Sequence, residues 1–484
     1  MFFRMLYDDK LAQAAYVIGC QRTGEAVVID PQRDVDRYIN LAEKEELKIT
    51  AVTETHIHAD FLSGARELAE RTGAKLYLSD EGDADWKYQW LHQKQGGGSY
   101  HHQLLKDNDS FMIGNIELKV LHTPGHTPEH ISFMVTDHGG GATEPMGIAT
   151  GDFVFVGDVG RPDLLETAAG QAGAKEKSAK VLFQSLQDFK HLPDYLQLWP
   201  GHGSGSACGK ALGAVPQSTV GYEKRFNASI SIADNEDTFV KSIIYGQPEP
   251  PLYFARMKRD NKMGPKVLGE IPSPAKVDLT ALEKALAGGA AVLDTRPWAH
   301  YVEGHLKGAL HAPLDNSFPT VAGSYVEEGT PIYLIVTEAQ MTEAVTDLIR
   351  IGLDDVTGYL TPDDLAAAAA KGHQLEKLNY LHINDLKPGS DYDNAVLLDV
   401  RRADEFDAGH LAGAVNIAHT RLLLRKKELK KDQPVLVYCR TENRSAYAAG
   451  LLQADGYKVV QLIGGYSAWQ ENGGEVVMET PEMV

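Results

Sequence analysis

The sequence predicts an α/β protein built from several domains. The chain has 484 residues, more than one domain of about 150 residues usually holds. Apolar strand-like runs alternate with helical stretches along most of it, and one pair of motifs occurs twice in its C-terminal part. Hydrophobic residues make up 43% and charged residues 24% of the chain, so every domain can bury a core of ordinary size.

The first domain begins with strands and helices in regular order. Residues 15–19, 26–30 and 49–53 have the apolar composition of strands, whereas 35–45 and 61–71 have helical spacing, the second ending at Gly73. A Gly- and Ser-rich loop occupies 201–206, and the segment 246–274 is rich in Pro, Gly and charge. We therefore place the first domain at residues 1–260 and a linker at 261–275.

The remainder of the chain is an internal repeat. Residues 292–296 match 397–401 around a shared Asp-x-Arg, and 304–309 match 409–414 around a shared Gly-His-Leu, with the same spacing in both copies. A repeated unit of about 105 residues is the size of a small domain. Because strands alternate with helices in each copy, we expect two small parallel α/β domains, at 276–375 and 376–484.

Charge and cysteine content limit the classes of function. The formal net charge of −20 disfavours a nucleic-acid partner, which is bound by neutralising phosphates. No run approaches the roughly 18 apolar residues of a membrane span, and acidic residues follow the N-terminus closely, so we expect neither a membrane protein nor a secreted one. Three scattered cysteines, Cys20, Cys208 and Cys439, indicate a reducing compartment. We expect a cytoplasmic protein that acts as a homo-oligomer.

Metal-ligating residue types follow several predicted strands. His56, His58 and Asp60 come directly after the strand 49–53, His126 follows a Pro-Gly turn, and Asp152 follows an apolar strand. Imidazole and carboxylate groups in this arrangement are typical of a metal site. An isolated His-x-His is more often part of a hydrogen-bonded polar loop than of a metal site. The additional segments around His126 and Asp152 favour the metal site here.

In order and spacing these segments, with Pro-Gly-His202-Gly, resemble the metallo-β-lactamase superfamily, which implies an αββα sandwich over residues 1–260. The hydrolases of that superfamily carry H-x-H-x-D-H and bind two metals, but Phe61 occupies the sixth position here. The motif looks instead like that of the persulfide dioxygenases. This resemblance implies one Fe(II) per chain, ligated by His58, His126 and Asp152. It leaves His56, Asp60 and His202 around the ligands.

The second copy of the repeat contains a candidate nucleophile. Cys439 lies between an apolar strand and a helical stretch, where the helix N-terminus and neighbouring backbone N–H groups favour a thiolate. Arg440 and Arg444 add positive potential. The loop and the repeated motifs resemble the rhodanese sulfurtransferases, which implies that Cys439 carries sulfur as a persulfide. The first copy has no cysteine, and we interpret it as an inactive rhodanese. In the second copy, Asp399, Arg401 and His410 are interpreted as scaffold.

The expected function joins both chemistries. The chain is predicted to oxidise a low-molecular-weight thiol persulfide with O2 to sulfite and thiol, coupled to rhodanese transfer between sulfite and thiosulfate. The alternatives are a metal-dependent thioester or lactone hydrolase with an accessory sulfurtransferase, and a non-catalytic sulfur carrier. Cys208, close to His202, is a candidate catalytic thiol at the iron site or a buried structural one. Asp158, Arg161 and Asp163 either orient substrate or form a solvated turn.

Overall fold

The computed structural model of the protein describes residues 1–167, 173–210, 212–386, 392 and 394–478. It divides into two compact units. The first contains Met1–Glu270 with Ile349–Gly352, and the second contains Ile271–Leu348 with Leu353–Val484. The predicted boundary at 260 and the linker at 261–275 remain predictions. No helix of the described part is both long and apolar enough to cross a membrane.

The first unit contains two six-stranded sheets, ordered β1-β2-β3-β4-β5-β6 and β12-β11-β10-β9-β8-β7. The strands are β1 Phe2–Asp8, β2 Gln13–Cys20, β3 Glu25–Ile29, β4 Lys48–Thr53, β5 Lys75–Ser79, β6 His102–Leu105, β7 Ser110–Ile113, β8 Ile116–His122, β9 Ile131–Asp137, β10 Gly147–Gly151, β11 Gln197–Pro200 and β12 Ser218–Thr219. The helices are α1 Asp36–Lys44, α2 Ala65–Thr72, α3 Leu164–Thr167, α4 Ala174–Lys190, α5 Val220–Phe226, α6 Ala228–Ser231, α7 Glu236–Ile244 and α8 Phe254–Met263.

Three apolar layers hold these elements together. Side chains of both sheets, such as Val27 and Phe133, form the central core. The outer face of the first sheet packs against helices through Tyr38 and Leu68, and that of the second packs against α4 through residues such as Leu186. The αββα sandwich predicted from the sequence is confirmed.

Two predicted segments differ from the structure. Helix α2 begins at Ala65 rather than near residue 61, because the preceding loop is held by other contacts: Gly64 N donates to Pro31 O at 2.7 Å. The segment 246–274, whose Pro, Gly and charge suggested a linker at 261–275, contains α8. Phe254 and Met257 of this helix are buried, and Asn261 donates to the carbonyl oxygens of His58 and Phe61, both at 2.8 Å.

The second unit contains two five-stranded sheets of the same topology, β13-β17-β16-β14-β15 and β18-β23-β22-β19-β21, and a small sheet of β20 and β24. The paired strands of the two five-stranded sheets are parallel. The first copy comprises β13 Ala275–Lys276, α9 Leu279–Ala287, β14 Ala291–Asp294, α10 Trp298–Glu303, β15 Leu310–His311, α11 Phe318–Tyr325, β16 Ile332–Ile335, α12 Met341–Arg350, β17 Val356–Leu360 and α13 Pro362–Ala370. The second comprises β18 Asn379–His382, β19 Val396–Asp399, α14 Ala403–Asp407, β20 His410–Leu411, β21 Val415–Asn416, α15 Leu422–Arg425, β22 Val435–Tyr438, α16 Asn443–Ala454, β23 Val459–Ile463, α17 Gly465–Glu471 and β24 Val476–Val477.

The strand register identifies equivalent positions in the two copies. Asp294 pairs with Ile335 in the first copy, and Asp399 pairs with Tyr438 in the second. The residue after each central strand is therefore Val336 in the first copy and Cys439 in the second. The predicted duplication is confirmed, and an aliphatic side chain stands where the second copy has its thiol.

Candidate active sites

The predicted metal ligands lie on loops that follow four strands of the first unit. The loop after β4 carries His56, His58 and Asp60, the loop after β8 carries His126, and Asp152 and His202 follow β10 and β11. Their side chains are all buried. Because both sheets deliver these loops to one place, residues far apart in sequence meet there.

His56, His126 and Asp152 form the first group of potential metal ligands, with one donor atom of each within 4.8 Å of the others. Asp152 Oδ2 lies 3.5 Å from His126 Nε2 and 4.0 Å from His56 Nε2. Asp152 Oδ2 and His56 Nε2 are buried and have no hydrogen-bond partner among the described residues. Since unpaired buried polar atoms are costly, this donor set suits a bound cation.

The surrounding contacts favour the protonation states in which these side chains can bind a metal. His126 Nδ1 lies 2.9 Å from Arg161 O, so this nitrogen donates and Nε2 keeps its lone pair. Burial lowers the pKa of both His56 and His126, which favours the neutral imidazole that ligates metals. Burial opposes ionisation of Asp152, yet His202 holds its pKa well below the usual range.

His58, which the sequence predicted as a ligand, does not belong to this group. Its Nε2 lies 3.1 Å from Asp30 Oδ1, and its Nδ1 has no partner among the described residues. Burial disfavours its charge, but Asp30 raises the pKa of His58 to about 9. The structure thus groups His56, predicted to lie outside the ligand set, with His126 and Asp152, whereas His58 pairs with Asp30.

Asp60, His202 and Cys208 form a second buried group, again with donor atoms within 4.8 Å. His202 joins the two groups, since its Nδ1 lies 2.7 Å from Asp152 Oδ1 and its Nε2 lies 2.7 Å from Asp60 Oδ2. The Cys208 thiol is 1% exposed, and burial, with Asp60 and Asp152 nearby, raises its pKa well above the usual value. Cys208 therefore lies beside Asp60 and His202 as a buried thiol, and its raised pKa favours the protonated form.

Sequence reasoning missed Asp30, which organises the histidine loop. It accepts hydrogen bonds from Thr55 N at 2.7 Å and Thr55 Oγ1 at 2.9 Å, and Thr55 Oγ1 lies 3.0 Å from His56 Nδ1. The signal was available, because Asp30 directly follows the apolar strand β3 just as Asp152 follows β10.

The predicted turn around Arg161 is a buried ion pair rather than a solvated turn. The Arg161 guanidinium donates two hydrogen bonds of 2.7 Å to Asp163 and one of 3.0 Å to Ala207 O. Asp158 accepts from Lys210 N at 2.9 Å. These contacts hold the loop that carries Cys208 against the loop that orients His126.

In the second unit, Cys439 lies between β22 and the N-terminus of α16. Its side chain is 1% exposed, and Sγ lies 3.7 Å from Ser445 Oγ. The carbonyl oxygens of Cys439 and Arg440 accept hydrogen bonds from Tyr466 N and Ser467 N, at 2.8 and 2.9 Å. The N-terminus of α17 thus fixes the loop from behind.

The two predicted arginines of the loop have different surroundings. Arg440 is exposed. Arg444 is half-buried and donates two hydrogen bonds to the Glu405 carboxylate, at 2.5 and 2.9 Å. The charge of Arg444 is therefore largely compensated by Glu405, and it fixes the start of α16.

The Asp-x-Arg motifs, predicted to be scaffold, make equivalent contacts in both copies. Arg401 is bound to Asp399 and to Gly409 O, and the first copy repeats these contacts through Arg296, Asp294 and Gly304 O. His410 Nδ1 lies 2.9 Å from Phe406 O, and the equivalent His305 makes the same contact with Tyr301 O. Identical geometry in a copy without the cysteine indicates a structural role.

Comparison with known proteins agrees with this architecture. Residues 8–202 match the family model of the metallo-beta-lactamase superfamily, and residues 278–360 and 383–472 match that of the rhodanese-like domain. A crystal structure of a metallo-beta-lactamase from Staphylococcus aureus subsp. aureus COL is 45% identical, with a TM-score of 0.68, and the match covers 75% of this chain and 99% of that one. The chain belongs to the metallo-β-lactamase superfamily.

Curated relatives match the superfamily part of the chain. A "Beta-lactamase hydrolase-like protein" of Agrobacterium fabrum is 29% identical over 254 residues, which cover 48% of this chain and 53% of that protein. The chain thus spans about half the length of this relative. Bovine "Persulfide dioxygenase ETHE1, mitochondrial" is 24% identical over 246 residues, covering 50% of this chain and 80% of that protein.

Position 61 departs from the H-x-H-x-D-H pattern described above. Phe61 is fully buried, and its ring centroid lies 4.3 Å from that of His58. An aromatic ring without a donor atom occupies the sixth position of the H-x-H-x-D-H pattern. Cys208 instead supplies a donor atom beside Asp60 and His202.

Proposed function

We propose that this chain oxidises a low-molecular-weight thiol persulfide with O2 at a mononuclear Fe(II), and that its second rhodanese-like domain transfers sulfur between sulfite and thiosulfate. The observation that carries the first part is the group of His56, His126 and Asp152. Two imidazoles and one carboxylate are the ligand set of non-haem Fe(II) oxygenases. Relative to the sequence prediction, we replace His58 by His56 and keep one iron per chain.

The fit of a cation rests on the donor atoms themselves. His56 Nε2 and Asp152 Oδ2 are buried and have no partner in the part of the chain that the structure describes, while the second nitrogen of His126 donates to Arg161 O. Fe(II) held by these three side chains would supply binding and activation of O2. His202 keeps the second oxygen of Asp152 in place, so that the carboxylate presents Oδ2 to the metal position.

The overall oxidation is balanced with one water: RSSH + O2 + H2O gives RSH, sulfite and two protons. Sulfite then attacks the outer sulfur of a persulfide on Cys439. The Cys439 thiolate leaves, and thiosulfate is formed. The loop between β22 and α16 suits this exchange, because Cys439 precedes the N-terminus of α16, whose positive end attracts the anionic sulfite. The bovine persulfide dioxygenase relative supports the first reaction, and the rhodanese-like match supports the second.

A metal-dependent hydrolase of thioesters or lactones is the second candidate. It is favoured by the group of Asp60, His202 and Cys208, whose donor atoms lie within 4.8 Å of one another beside the first group. The relative from Agrobacterium fabrum is also named a hydrolase-like protein. Zinc accommodates carboxylate, imidazole and thiolate ligands together.

Metal content and O2 uptake separate the two candidates. The full chain should bind about one iron, and should consume O2 with glutathione persulfide and other small persulfides while releasing sulfite. Two zinc ions per chain with thioesterase activity and no O2 uptake would establish the hydrolase instead.

A further inference from the structure

A cavity of about 660 Å³ lies in the second unit, at the carboxyl edge of the sheet of the cysteine-free copy. Thr295, His311 and Thr337, which line it, lie at or just beyond the ends of β14, β15 and β16. It is equivalent to the edge at which the sheet of the second copy presents Cys439. The copy without a thiol therefore has an open space close to the position equivalent to Cys439.

The active copy forms one wall of this cavity. Glu442 and Asn443 belong to the loop that carries Cys439, and Ala446 and Tyr447 follow on α16. The copies approach closely along this helix: a Cβ added at Gly450 would lie 3.1 Å from His311. A molecule in the cavity therefore touches the sulfur-transfer loop directly.

Hydrogen bonds connect the opposite wall to Cys439. Trp298, which lines the cavity, donates from Nε1 to Gln461 Oε1 at 2.7 Å. Gln461 Nε2 then donates to Glu442 O at 3.0 Å and to Ser445 Oγ at 3.3 Å. Since Ser445 Oγ lies 3.7 Å from Cys439 Sγ, the cysteine-free copy helps to hold the loop.

The lining is suited to an organic molecule. Trp298, Pro313, Leu314 and Tyr447 provide apolar surface, and the volume is that of a site for a ligand much larger than sulfite or thiosulfate. His311 also lines the cavity; it is 1% exposed, and neither ring nitrogen has a hydrogen-bond partner among the described residues. A polar group of a ligand would satisfy this imidazole.

The charges of the lining select against anions. Carboxylates line the cavity at Asp315, Asp363 and Glu442, whereas the basic lining residues are His300 and Arg296. The Arg296 guanidinium is already engaged by Asp294 and Gly304 O. An anionic ligand would therefore be repelled by the three carboxylates, and the Arg296 guanidinium, already paired with Asp294, would attract it only weakly.

We infer that this cavity binds the organic body of the thiol that exchanges sulfur with Cys439, and that it prefers uncharged or positively charged thiols to anionic ones. The inference rests on the proposed sulfur transfer at Cys439. In the exchange, the thiolate attacks the outer sulfur of the Cys439 persulfide and a new S–S bond forms. The bond to Cys439 breaks, its electron pair leaves with the Cys439 thiolate, and no external oxidant is needed.

The test fills the cavity from the cysteine-free copy. Ala366 on α13 lines the cavity, whereas the neighbouring Ala367 is exposed on the same helix and is not part of the lining. Full chains with Ala366→Trp or Ala367→Trp are loaded with thiosulfate. Transfer is then measured to cysteamine, 2-mercaptoethanol and 3-mercaptopropionate at equal thiolate concentration, and to cyanide as a small acceptor.

Ala366→Trp should raise KM for cysteamine and 2-mercaptoethanol by roughly tenfold and leave the cyanide rate unchanged, and Ala367→Trp should change neither. In the unsubstituted chain, 3-mercaptopropionate should be the poorest of the three thiols. Asp363→Lys, at an exposed position of the lining, should improve 3-mercaptopropionate relative to cysteamine.

Two results would overturn the inference: equal effects of Ala366→Trp on thiols and cyanide, or no effect on the thiols. No change of charge preference in Asp363→Lys would overturn the proposed selectivity. These results differ from failure of the proposed function, in which Cys439 of the unsubstituted chain would take no sulfur from thiosulfate.

Discussion

Replacing His56 and His58 by alanine, one at a time, tests which of these two histidines binds the metal. His56→Ala removes one of three donor atoms and leaves only His126 Nε2 and Asp152 Oδ2, which lie 3.5 Å apart. His58→Ala removes a side chain that bonds to Asp30. Asp30 keeps its hydrogen bonds to Thr55, and Thr55 still contacts His56.

The expected magnitudes follow from this geometry. Loss of a residue behind a ligand weakens metal affinity about 10–100-fold, which corresponds to roughly 1.4–2.7 kcal/mol. His58→Ala should therefore regain about one iron per chain and its O2 uptake when iron is in excess. His56→Ala should stay below about a tenth of an iron under the same conditions, because a two-ligand site lacks the facial set.

Iron per chain is measured by elemental analysis across an iron titration, with O2 uptake on a small persulfide measured in parallel. Sulfur transfer at Cys439 is the control for folding and should be unchanged in both variants. Iron retained by His56→Ala but absent from His58→Ala at every concentration would refute this reasoning and restore the ligand set predicted from the sequence.

Three further predictions concern single side chains. Cys439→Ser should abolish transfer of thiosulfate sulfur and leave O2 uptake with an added small persulfide largely intact; transfer at the wild-type rate would exclude Cys439 as the sulfur carrier. Cys208→Ser should change the sulfite-to-thiosulfate ratio at unchanged iron content, whereas unaltered products and a native thiol that resists alkylation would assign Cys208 to structure. Burial raises the pKa of Glu405, but Arg444 outweighs burial and lowers this pKa to about 2 from 4.5. The ion pair therefore stabilises the fold above pH 4.5, and this stabilisation is lost as the pH falls toward 2. The difference in unfolding free energy between wild type and Glu405→Gln should accordingly shrink over that range in denaturant titrations; a constant difference would contradict the ion pair.

The repeat could be predicted from the sequence in detail, because its motifs are themselves structural. The Asp-x-Arg and Gly-His-Leu segments fix equivalent contacts in both copies, so their recurrence implies the same sheet twice. The αββα sandwich followed from the resemblance of the histidine and aspartate motifs to the metallo-β-lactamase superfamily. Helix α8 was hidden by flanking Pro, Gly and charge, although Phe254 and Met257 have helical spacing and are buried.

The choice between His56 and His58 could not be made from spacing. Both follow β4 on the same loop, and which ring reaches the metal position depends on a partner contributed by another strand. Asp30, at the end of β3, holds the Nε2 of His58 and supports His56 through Thr55. The role of Cys208 was equally undetermined, because its closeness to His202 along the chain does not indicate that it is buried beside Asp60.

In the proposed function, sulfite links the chemistry of the first unit to that of the second. Oxidation of a persulfide releases sulfite, a good nucleophile toward the outer sulfur of another persulfide, and Cys439 is proposed to carry such a sulfur. Exchange between them conserves charge and electrons and needs no oxidant, so the proposed second reaction would consume the product of the proposed first one without a further redox step. In this proposal the cavity lined by Trp298 and Tyr447 does not serve sulfite, which has no organic part to bind. It would bind the organic part of a thiol, which would donate sulfur to Cys439 or accept sulfur from it.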